Sequence, residues 1–366
     1  MAKIFYSMAG EGRGHAARVR TMTEALRARH QLVLLAPDDA YDYLSKVYAG
    51  SDVEVRELEG LRFAYNDRQR VHWPRTLAGG FRYLAGSRKR TRALAEALNS
   101  GGADLLITDY DPGGPRAAEH AGVPYIALDH QSLFTFGDLS FLPQPLRRKA
   151  AVMGRFGKLY YRRQHHTISS SFFRPEPKPG ASRVTFVGTL LRPALLEAEV
   201  SEQEHLIAYC RRDMPACVLE SLRTAGREVR VYGLGEKPDD GDLRFFPVSE
   251  AGFLADLASS HAVVASAGNQ LIGECLYLGK PVLALPELGQ HEQAINGVLL
   301  ERMNGGRSAR PDLLTPDILR RFLADRDRFG ESIDRGFAHG LPAAEAALEQ
   351  ALGELQAATA RASGRP

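Results

Sequence analysis

The sequence predicts an α/β protein with two domains, each built around a parallel β-sheet. In both halves of the chain, short apolar segments alternate with longer helical segments, a pattern typical of strand–helix–strand units. The chain of 366 residues is longer than most single domains. A cluster of prolines with a glycine between positions 175 and 180 indicates a linker. We therefore expect a first domain at 1–173, a linker at 174–182, a second domain at 183–335, and a tail with one helix at 336–366.

Composition limits the classes of function. With 44% hydrophobic residues the chain can bury a sizeable core, and its formal net charge of +3 gives no argument for a nucleic-acid partner. Three cysteines, Cys210, Cys217 and Cys275, lie in apolar contexts and predict free thiols in a reducing compartment, so we expect a cytoplasmic protein. No apolar run approaches the roughly 18 residues that a membrane-spanning helix needs.

A glycine-rich loop joins the first strand, at 4–7, to the first helix. The loop reads A-G-E-G-R-G, and Gly12 and Gly14 let its backbone approach a ligand closely. A dinucleotide-binding fingerprint would place a glycine where His15 stands, but Asp38 follows the second strand as a ribose-binding acid would. An NAD-binding oxidoreductase or a binding protein that uses this loop therefore stays an alternative.

His15 is the candidate general base. It lies in the first turn of a helix, whose positive end disfavours the imidazolium ion and leaves the ring free to accept a proton. It also follows a strand of the predicted sheet, and ligands bind at the carboxyl ends of parallel strands. Glu11 in the same loop is an alternative base. Four further polar residues follow the strands at 104–108 and 124–128 and are expected at the same edge: Asp109, Asp111, Asp129 and His130.

Two segments of the first domain combine basic and aromatic residues. The segment 61–92 interleaves arginines with Phe63, Tyr65 and Trp73, and the segment 143–166 is basic and helical. These segments are either ordinary solvated surface or a wall that meets an anionic or lipid-bearing molecule, such as an anionic membrane. The sequence leaves both alternatives open.

The second half contains a strand–turn–helix unit suited to an anion. The strand at 262–265 is followed by Ser266 and Gly268, and a helix begins at Asn269 or Gln270. Backbone N–H groups and the positive helix end meet at this turn, which is a favourable place for a phosphate group.

A carboxylate and a group of amides complete the polar residues of this unit. Glu274 lies on the otherwise apolar helix, so it needs either a neighbouring arginine or solvent, or a ligand such as the hydroxyls of a ribose. The next strand leads to donors and acceptors suited to sugar hydroxyls: Gln290, His291, Glu292 and Gln293.

The segment S-A-G-N-Q-L-I-G-E-C-L-Y-L-G-K-P-V-L-A-L-P-E-L-G-Q-H-E-Q-A-I-N resembles the donor-binding segment of GT-B glycosyltransferases. It is most similar to the family 28-like group around the bacterial enzyme that adds N-acetylglucosamine to a lipid-linked peptidoglycan precursor. The resemblance implies two Rossmann-like, doubly wound parallel-sheet domains that face a central cleft, with a C-terminal helix crossing back to the first domain. The implied donor contacts are Ser266, Gly268 and Asn269 for the diphosphate, Glu274 for the ribose, and Glu292 and Gln293 for the sugar. Gln270, on the polar stripe of the same helix, and Gln290 are further candidate donor-binding residues.

Shorter matches extend this resemblance over essentially the whole chain. The motif G-T-L-L-R-P follows a strand at 184–188, which we expect to be the first of six strands in the second sheet, and implies that Thr189 and Arg192 face the diphosphate. The motif C-R-R-D stands where relatives often have a glycine-rich turn, so Arg211 is expected to supply charge there. The motif F-F-P-V implies that Phe246 reads the base.

The loop G-E-G-R-G-H resembles the acceptor loop of inverting GT-B enzymes. In that group a histidine takes the proton from the acceptor hydroxyl, which implies this role for His15. An aspartate holds that histidine in its useful tautomer, which implies Asp109 or, two residues on, Asp111. The implied acceptor contacts are Gly12, Gly14, Asp111, Asp129 and His130.

The implied function is inverting, metal-independent transfer of a sugar from a nucleotide diphosphate sugar, with UDP favoured, to a hydroxyl of a small or lipid-linked acceptor. No metal or other cofactor is expected, because D-Y-D at 109–111 lies in the first domain, away from the predicted diphosphate site. A nucleotide-sugar 2-epimerase of the same fold is a further alternative.

Overall fold

The computed structural model describes residues 1–9, 13–59, 87–211, 214–247, 249–331 and 333–362. Two parallel sheets with helices on their faces make up this part of the chain, which confirms the predicted α/β class. The inner strands are apolar on both faces and buried almost throughout, as strands covered by helices on both sides must be.

The first sheet has seven parallel strands in the order β3-β2-β1-β4-β5-β6-β7. Its strands are β1 Lys3–Met8, β2 Gln31–Ala36, β3 Glu54–Glu57, β4 Leu105–Asp109, β5 Tyr125–Asp129, β6 His166–Ser170 and β7 Val184–Val187. The described helices that belong to it are α1 Arg13–Leu26, α2 Asp38–Val47, α3 Ser87–Ser100, α4 Gly114–Ala121, α5 Ser132–Phe136 and α6 Gln144–Tyr160.

The second sheet has six parallel strands in the order β10-β9-β8-β11-β12-β13. Its strands are β8 Leu206–Tyr209, β9 Val229–Tyr232, β10 Leu243–Phe246, β11 Ala262–Ala265, β12 Val282–Ala284 and β13 Gly306–Ser308. The described helices around and after it are α7 Pro193–Leu196, α8 Ala216–Leu222, α9 Glu250–Ser259, α10 Asn269–Tyr277, α11 His291–Arg302, α12 Pro316–Ala324, α13 Arg335–Ala338 and α14 Leu341–Ala362, with 3-10 turns at Pro311–Leu313 and Arg326–Arg328.

Strand β7 corrects one prediction. The sequence placed it first in the second sheet, yet it pairs with β6 of the first sheet, with Thr167 opposite Val184. The proline-rich segment before it is therefore a crossover inside one sheet, and the chain passes between the sheets after β7. The sixth strand of the second sheet is β13, which the sequence did not reveal because it has only three residues and one of them, Arg307, is exposed.

The C-terminal helix α14 crosses back to the first domain, as predicted. Its residues Ala344 and Leu348 belong to the same buried cluster as Val19 and Met22 of α1. Polar contacts accompany this packing, among them a 3.0 Å hydrogen bond between His30 Nε2 and Glu349 Oε1. None of the described helices is long and apolar enough to cross a membrane.

Each sheet has one point where the strand order reverses. In the first sheet β1 lies beside β4, and in the second β8 lies beside β11. Loops that leave neighbouring strands at such a point diverge to opposite faces and open a crevice, which is where ligands bind in open α/β sheets. The loops after these four strands therefore define the candidate site.

Candidate active site

His15 and Asp109 meet at the reversal point of the first sheet. Helix α1 starts just after β1 and places the His15 ring over the end of β4, so that Nδ1 lies 2.9 Å from Asp109 Oδ1. Asp109 is fully buried, while 13% of the His15 side chain is exposed. A carboxylate only accepts hydrogen bonds, so Nδ1–H donates, and in the neutral imidazole the lone pair is then on Nε2. The pair has the geometry of a general base with its orienting group.

Arg18 lies beneath this pair and was not predicted. Its Nε and Nη2 each donate to Asp109 at 2.9 Å, one to each oxygen, and only 4% of its side chain is exposed. Burial by itself would raise the pKa of Asp109, but the charge of Arg18 and the hydrogen bonds from His15 and Arg18 outweigh it and lower that pKa. Asp109 is therefore ionised. The only sequence signal for Arg18 is its position one helical turn after His15.

Asp111 serves the turn that starts α4. Its Oδ1 accepts from the Gly113 amide at 3.0 Å and its Oδ2 from the Gly114 amide at 2.6 Å, and the residue is buried. Burial raises the pKa of this carboxyl. Both oxygens hold this turn, and His15 pairs with Asp109 and not with Asp111.

Asp129 is fully buried instead of opening toward the cleft. It accepts from Tyr161 Oη and from the Ser132 amide, both at 2.6 Å, and burial together with the charge of Asp109 raises its pKa to about 6. Tyr161 Oη in turn accepts from the Tyr110 amide at 2.9 Å. Tyr110 has a φ of 55°, a strained value for a bulky side chain, so this chain of bonds fixes the backbone next to Asp109.

His130 lies where the two domains face each other. Its ring is buried, Nδ1 is 3.2 Å from the Ser170 carbonyl, and Nε2 is 3.7 Å from Glu292 Oε1 of the second domain. Gln131 Nε2 also donates to Glu292 Oε2, at 3.4 Å. The predicted acceptor residue His130 and the predicted donor residue Glu292 are thus neighbours across the cleft.

The start of α10 faces open space. Gly268 precedes the helix and has no side chain to cap it, and apart from its two chain neighbours no described residue has an atom within 4 Å of the place where a Cβ would stand. The first amides of a helix have no intrahelical acceptor and can bind an anion. The Asn269 side chain is not available for this, since its oxygen accepts from the Phe172 amide at 3.2 Å and its nitrogen lies 3.5 Å from the Ser170 carbonyl.

Glu274 has a neighbouring arginine, one of the two alternatives that the sequence left open. Arg192 Nε and Nη2 donate to its two oxygens at 3.0 and 2.7 Å, and Gln270 Nε2 donates at 2.9 Å. Thr189 is fully buried against Gly273 of α10, so its side chain is not exposed to the cleft.

Three more predicted donor residues, Gln290, Gln293 and Arg211, make contacts around the segment that follows β12. Gln290 stands at the N-cap position of α11 without a side-chain capping bond, and Gln293 exchanges two hydrogen bonds with Glu287, of 2.9 and 3.0 Å. Arg211 Nη1 lies 3.3 Å from Glu287 Oε1. These bonds give the loop after β12 a fixed shape.

Other predicted residues have simpler surroundings. Phe246 stacks on Tyr232 with ring centroids 5.5 Å apart. Gly14 lies in the first turn of α1, whereas Glu11, Gly12 and most of the basic segment 61–92 are outside the described residues. In the described ranges, no group of three or more His, Cys, Asp or Glu side chains could hold a metal ion.

Two parallel-sheet domains whose reversal points face one cleft, with a His–Asp pair on one wall and a free helix start on the other, define a GT-B glycosyltransferase. The family described as Glycosyl transferase family 1 matches residues 2–326, and the chain belongs to that family. No curated protein sequence is significantly similar to the chain.

Solved structures share the fold at low sequence identity. The calicheamicin glycosyltransferase CalG4 has a TM-score of 0.66 at 19% identity, over 96% of this chain and 98% of that one. MurG of Acinetobacter baumannii has a TM-score of 0.59 at 13% identity, over 93% of this chain and 96% of that one. An Arabidopsis thaliana protein complexed with UDP-L-rhamnose has a TM-score of 0.65 at 15% identity, over 97% of this chain and 99% of that one.

Proposed function

We propose that the protein is an inverting glycosyltransferase that uses a UDP-sugar and needs no metal ion. The observation that carries the proposal is the His15–Asp109 pair, with its Nδ1–Oδ1 distance of 2.9 Å, at the reversal point that faces the start of α10. The pair supplies a base on the acceptor side, and α10 supplies positive potential on the donor side.

The proposed reaction is a single displacement at the anomeric carbon. Asp109 holds the His15 ring, and His15 Nε2 takes the proton of the acceptor hydroxyl as that oxygen attacks. The new carbon–oxygen bond forms on the face opposite the leaving group, the bond to the diphosphate breaks, and the nucleoside diphosphate departs with both electrons. One displacement of this kind inverts the anomeric configuration.

In this proposal, groups of the protein itself stabilise the negative charge of the departing diphosphate. The first amides of α10 and the Arg192 guanidinium lie on the donor wall, and Arg192 is held toward it by Glu274. We assign Glu274 a second role as acceptor of ribose hydroxyls, as the resemblance implies. The nucleotide UDP is favoured because one similar structure carries UDP-L-rhamnose.

For the acceptor, we propose a lipid-linked molecule reached from an anionic membrane surface on the cytoplasmic side. Helix α6 exposes three large apolar side chains, Val152, Phe156 and Leu159, at i, i+4 and i+7. The exposed Arg148 and Arg155 lie on the same face by helical spacing. We call these five residues the α6 face, and its mixture of apolar and basic groups suits insertion among anionic head groups.

Sedimentation with vesicles tests the membrane part of the proposal. The protein should bind vesicles rich in anionic lipid at low salt, bind neutral vesicles weakly, and be released as salt is raised. Phe156→Glu should weaken binding, while Leu313→Glu, at an exposed apolar residue of the second domain, should not. Protein that stays in the supernatant with anionic vesicles at low salt would favour a soluble acceptor.

Product release tests the reaction class. The protein should release UDP from a UDP-sugar only when a suitable acceptor is present, and the new glycosidic bond should have the configuration opposite to that of the donor. Sugar isomerisation without any acceptor would instead indicate an epimerase, and retained configuration would exclude the single displacement.

A further inference from the structure

A chain of charges crosses the cleft between the two domains. Arg20 Nη1 of α1 donates to Glu250 Oε2 at 2.7 Å, and Arg192 Nη1 donates to Glu250 Oε1 at 3.3 Å. Each oxygen of this one carboxylate therefore binds a different arginine, one from each side of the cleft. Neither Arg20 nor Glu250 belongs to the residues that the sequence motifs single out.

The position of Glu250 coincides with the expected position of the donor. It is the first residue of α9, four residues after the end of β10, and Arg192 also holds Glu274 on α10. These helices start at the carboxyl ends of β10 and β11, the edge of the second sheet where ligands bind. Arg20 lies on the same helix as His15, so it reaches Glu250 from the wall that carries the base.

Solvent reaches this ion pair, so a ligand can replace one member of it. The Arg20 side chain is 32% exposed and that of Glu250 is 38% exposed, and ion pairs with this exposure contribute little to stability. Arg20 has a second fixed contact, because Nη1 also donates to Tyr43 Oη at 2.8 Å. It would stay oriented toward the cleft after Glu250 moved away.

We propose that Arg20 and Arg192 form a clamp for the donor's diphosphate and that Glu250 occupies the clamp until the donor binds. This inference rests on the proposed function. A diphosphate carries more charge than a carboxylate and offers more oxygens to the planar guanidinium groups, so it should displace Glu250 from both arginines. Arg20 would then be a donor-binding residue supplied by the acceptor domain, and donor binding would hold the two domains together.

Calorimetric titration with UDP and with uridine tests the clamp. Arg20→Gln should weaken UDP binding by about tenfold or more and leave uridine binding unchanged, because only the diphosphate reaches the clamp. Glu250→Gln should strengthen UDP binding, since it removes the competing carboxylate. The matched control is Arg27→Gln, which removes an ion pair with Asp52 just beyond the end of α1 and should change neither affinity.

Each contrary result has a distinct meaning. Unchanged UDP affinity in Arg20→Gln, or weaker UDP affinity in Glu250→Gln, would overturn the clamp while leaving a UDP-binding protein. A wild-type protein that binds neither UDP nor uridine would overturn the UDP donor itself and the clamp with it. Melting curves of each variant confirm that it is folded before titration.

Discussion

Arg18 and Asp109 form a bidentate ion pair, with two N–O distances of 2.9 Å, almost entirely shielded from water. The same carboxylate accepts from His15, so one buried charge both balances the arginine and orients the imidazole. A buried carboxylate without such a partner would lose its charge. Arg18 therefore explains why Asp109 can stay ionised behind a candidate base.

Breaking this pair should cost more than breaking a surface pair. Asp109→Asn leaves the buried Arg18 without its counter-charge, so we expect the free energy of unfolding to fall by about 3–5 kcal/mol in urea titrations. Glu54→Gln, which breaks an exposed pair with Arg56 in the same sheet, should cost less than about 1 kcal/mol. Equal losses in the two variants would show that the Arg18–Asp109 pair is not effectively buried.

The raised pKa of Asp129 predicts an opposite pH dependence from that of ordinary carboxylates. Its folded-state pKa of about 6 exceeds the unfolded value of about 3.9, so the native state binds more protons between these pH values and loses stability as pH rises through them. Asp129→Asn removes this loss of stability, because the amide does not ionise. The difference in unfolding free energy, variant minus wild type, should therefore rise by up to about 3 kcal/mol between pH 4 and 7. Parallel curves would contradict the assignment.

Glu274 has two proposed roles that a ligand comparison can separate. If it accepts from ribose hydroxyls, the wild type should bind UDP about tenfold more tightly than 2′-deoxy-UDP, and Glu274→Gln should reduce that ratio toward one. If the variant binds both ligands more weakly but keeps the wild-type ratio of the two affinities, Glu274 only holds Arg192 and does not contact the ribose. Isothermal titration of both proteins with both ligands gives the four affinities needed.

Metal independence is tested by chelation. Turnover with a UDP-sugar should be unchanged after EDTA treatment, because the first amides of α10 and Arg192 are proposed to stabilise the negative charge of the diphosphate. Loss of turnover with EDTA and its recovery with magnesium or manganese would refute this part of the proposal.

The sequence predicted the features that depend on local pattern. Strand and helix alternation and the polar ends of β4 and β11 follow from periodicity and turn residues. The structure also brings His15 and Asp109 together, as the family resemblance implied. Strand β13 was missed because its three residues carry no apolar pattern. Strand β7 was assigned to the wrong sheet because a proline-rich segment indicates a loop but not what the loop connects.

Side-chain partners were less predictable, because they depend on residues distant in the chain. Arg18 meets Asp109 over 91 positions, and Arg192 meets Glu274 over 82. Asp129 ends β5 as Asp109 ends β4, and Asp111 follows β4 by two residues, yet the carboxylates of Asp111 and Asp129 turn toward backbone amides and Tyr161. Position at a sheet edge therefore identified the candidate aspartates. Only the packing around each carboxylate distinguished the aspartates that hold the local backbone from Asp109, which pairs with His15.

The most direct test of the account is turnover by His15→Ala, measured as acceptor-dependent release of UDP under saturating donor. We expect kcat to fall by about 10²–10⁴ while the dissociation constant for UDP stays unchanged, because a general base acts in the transition state. His120→Ala, at an exposed histidine of the same domain, should keep wild-type turnover. A folded His15→Ala protein with near-normal kcat would contradict the assignment of His15 as the base.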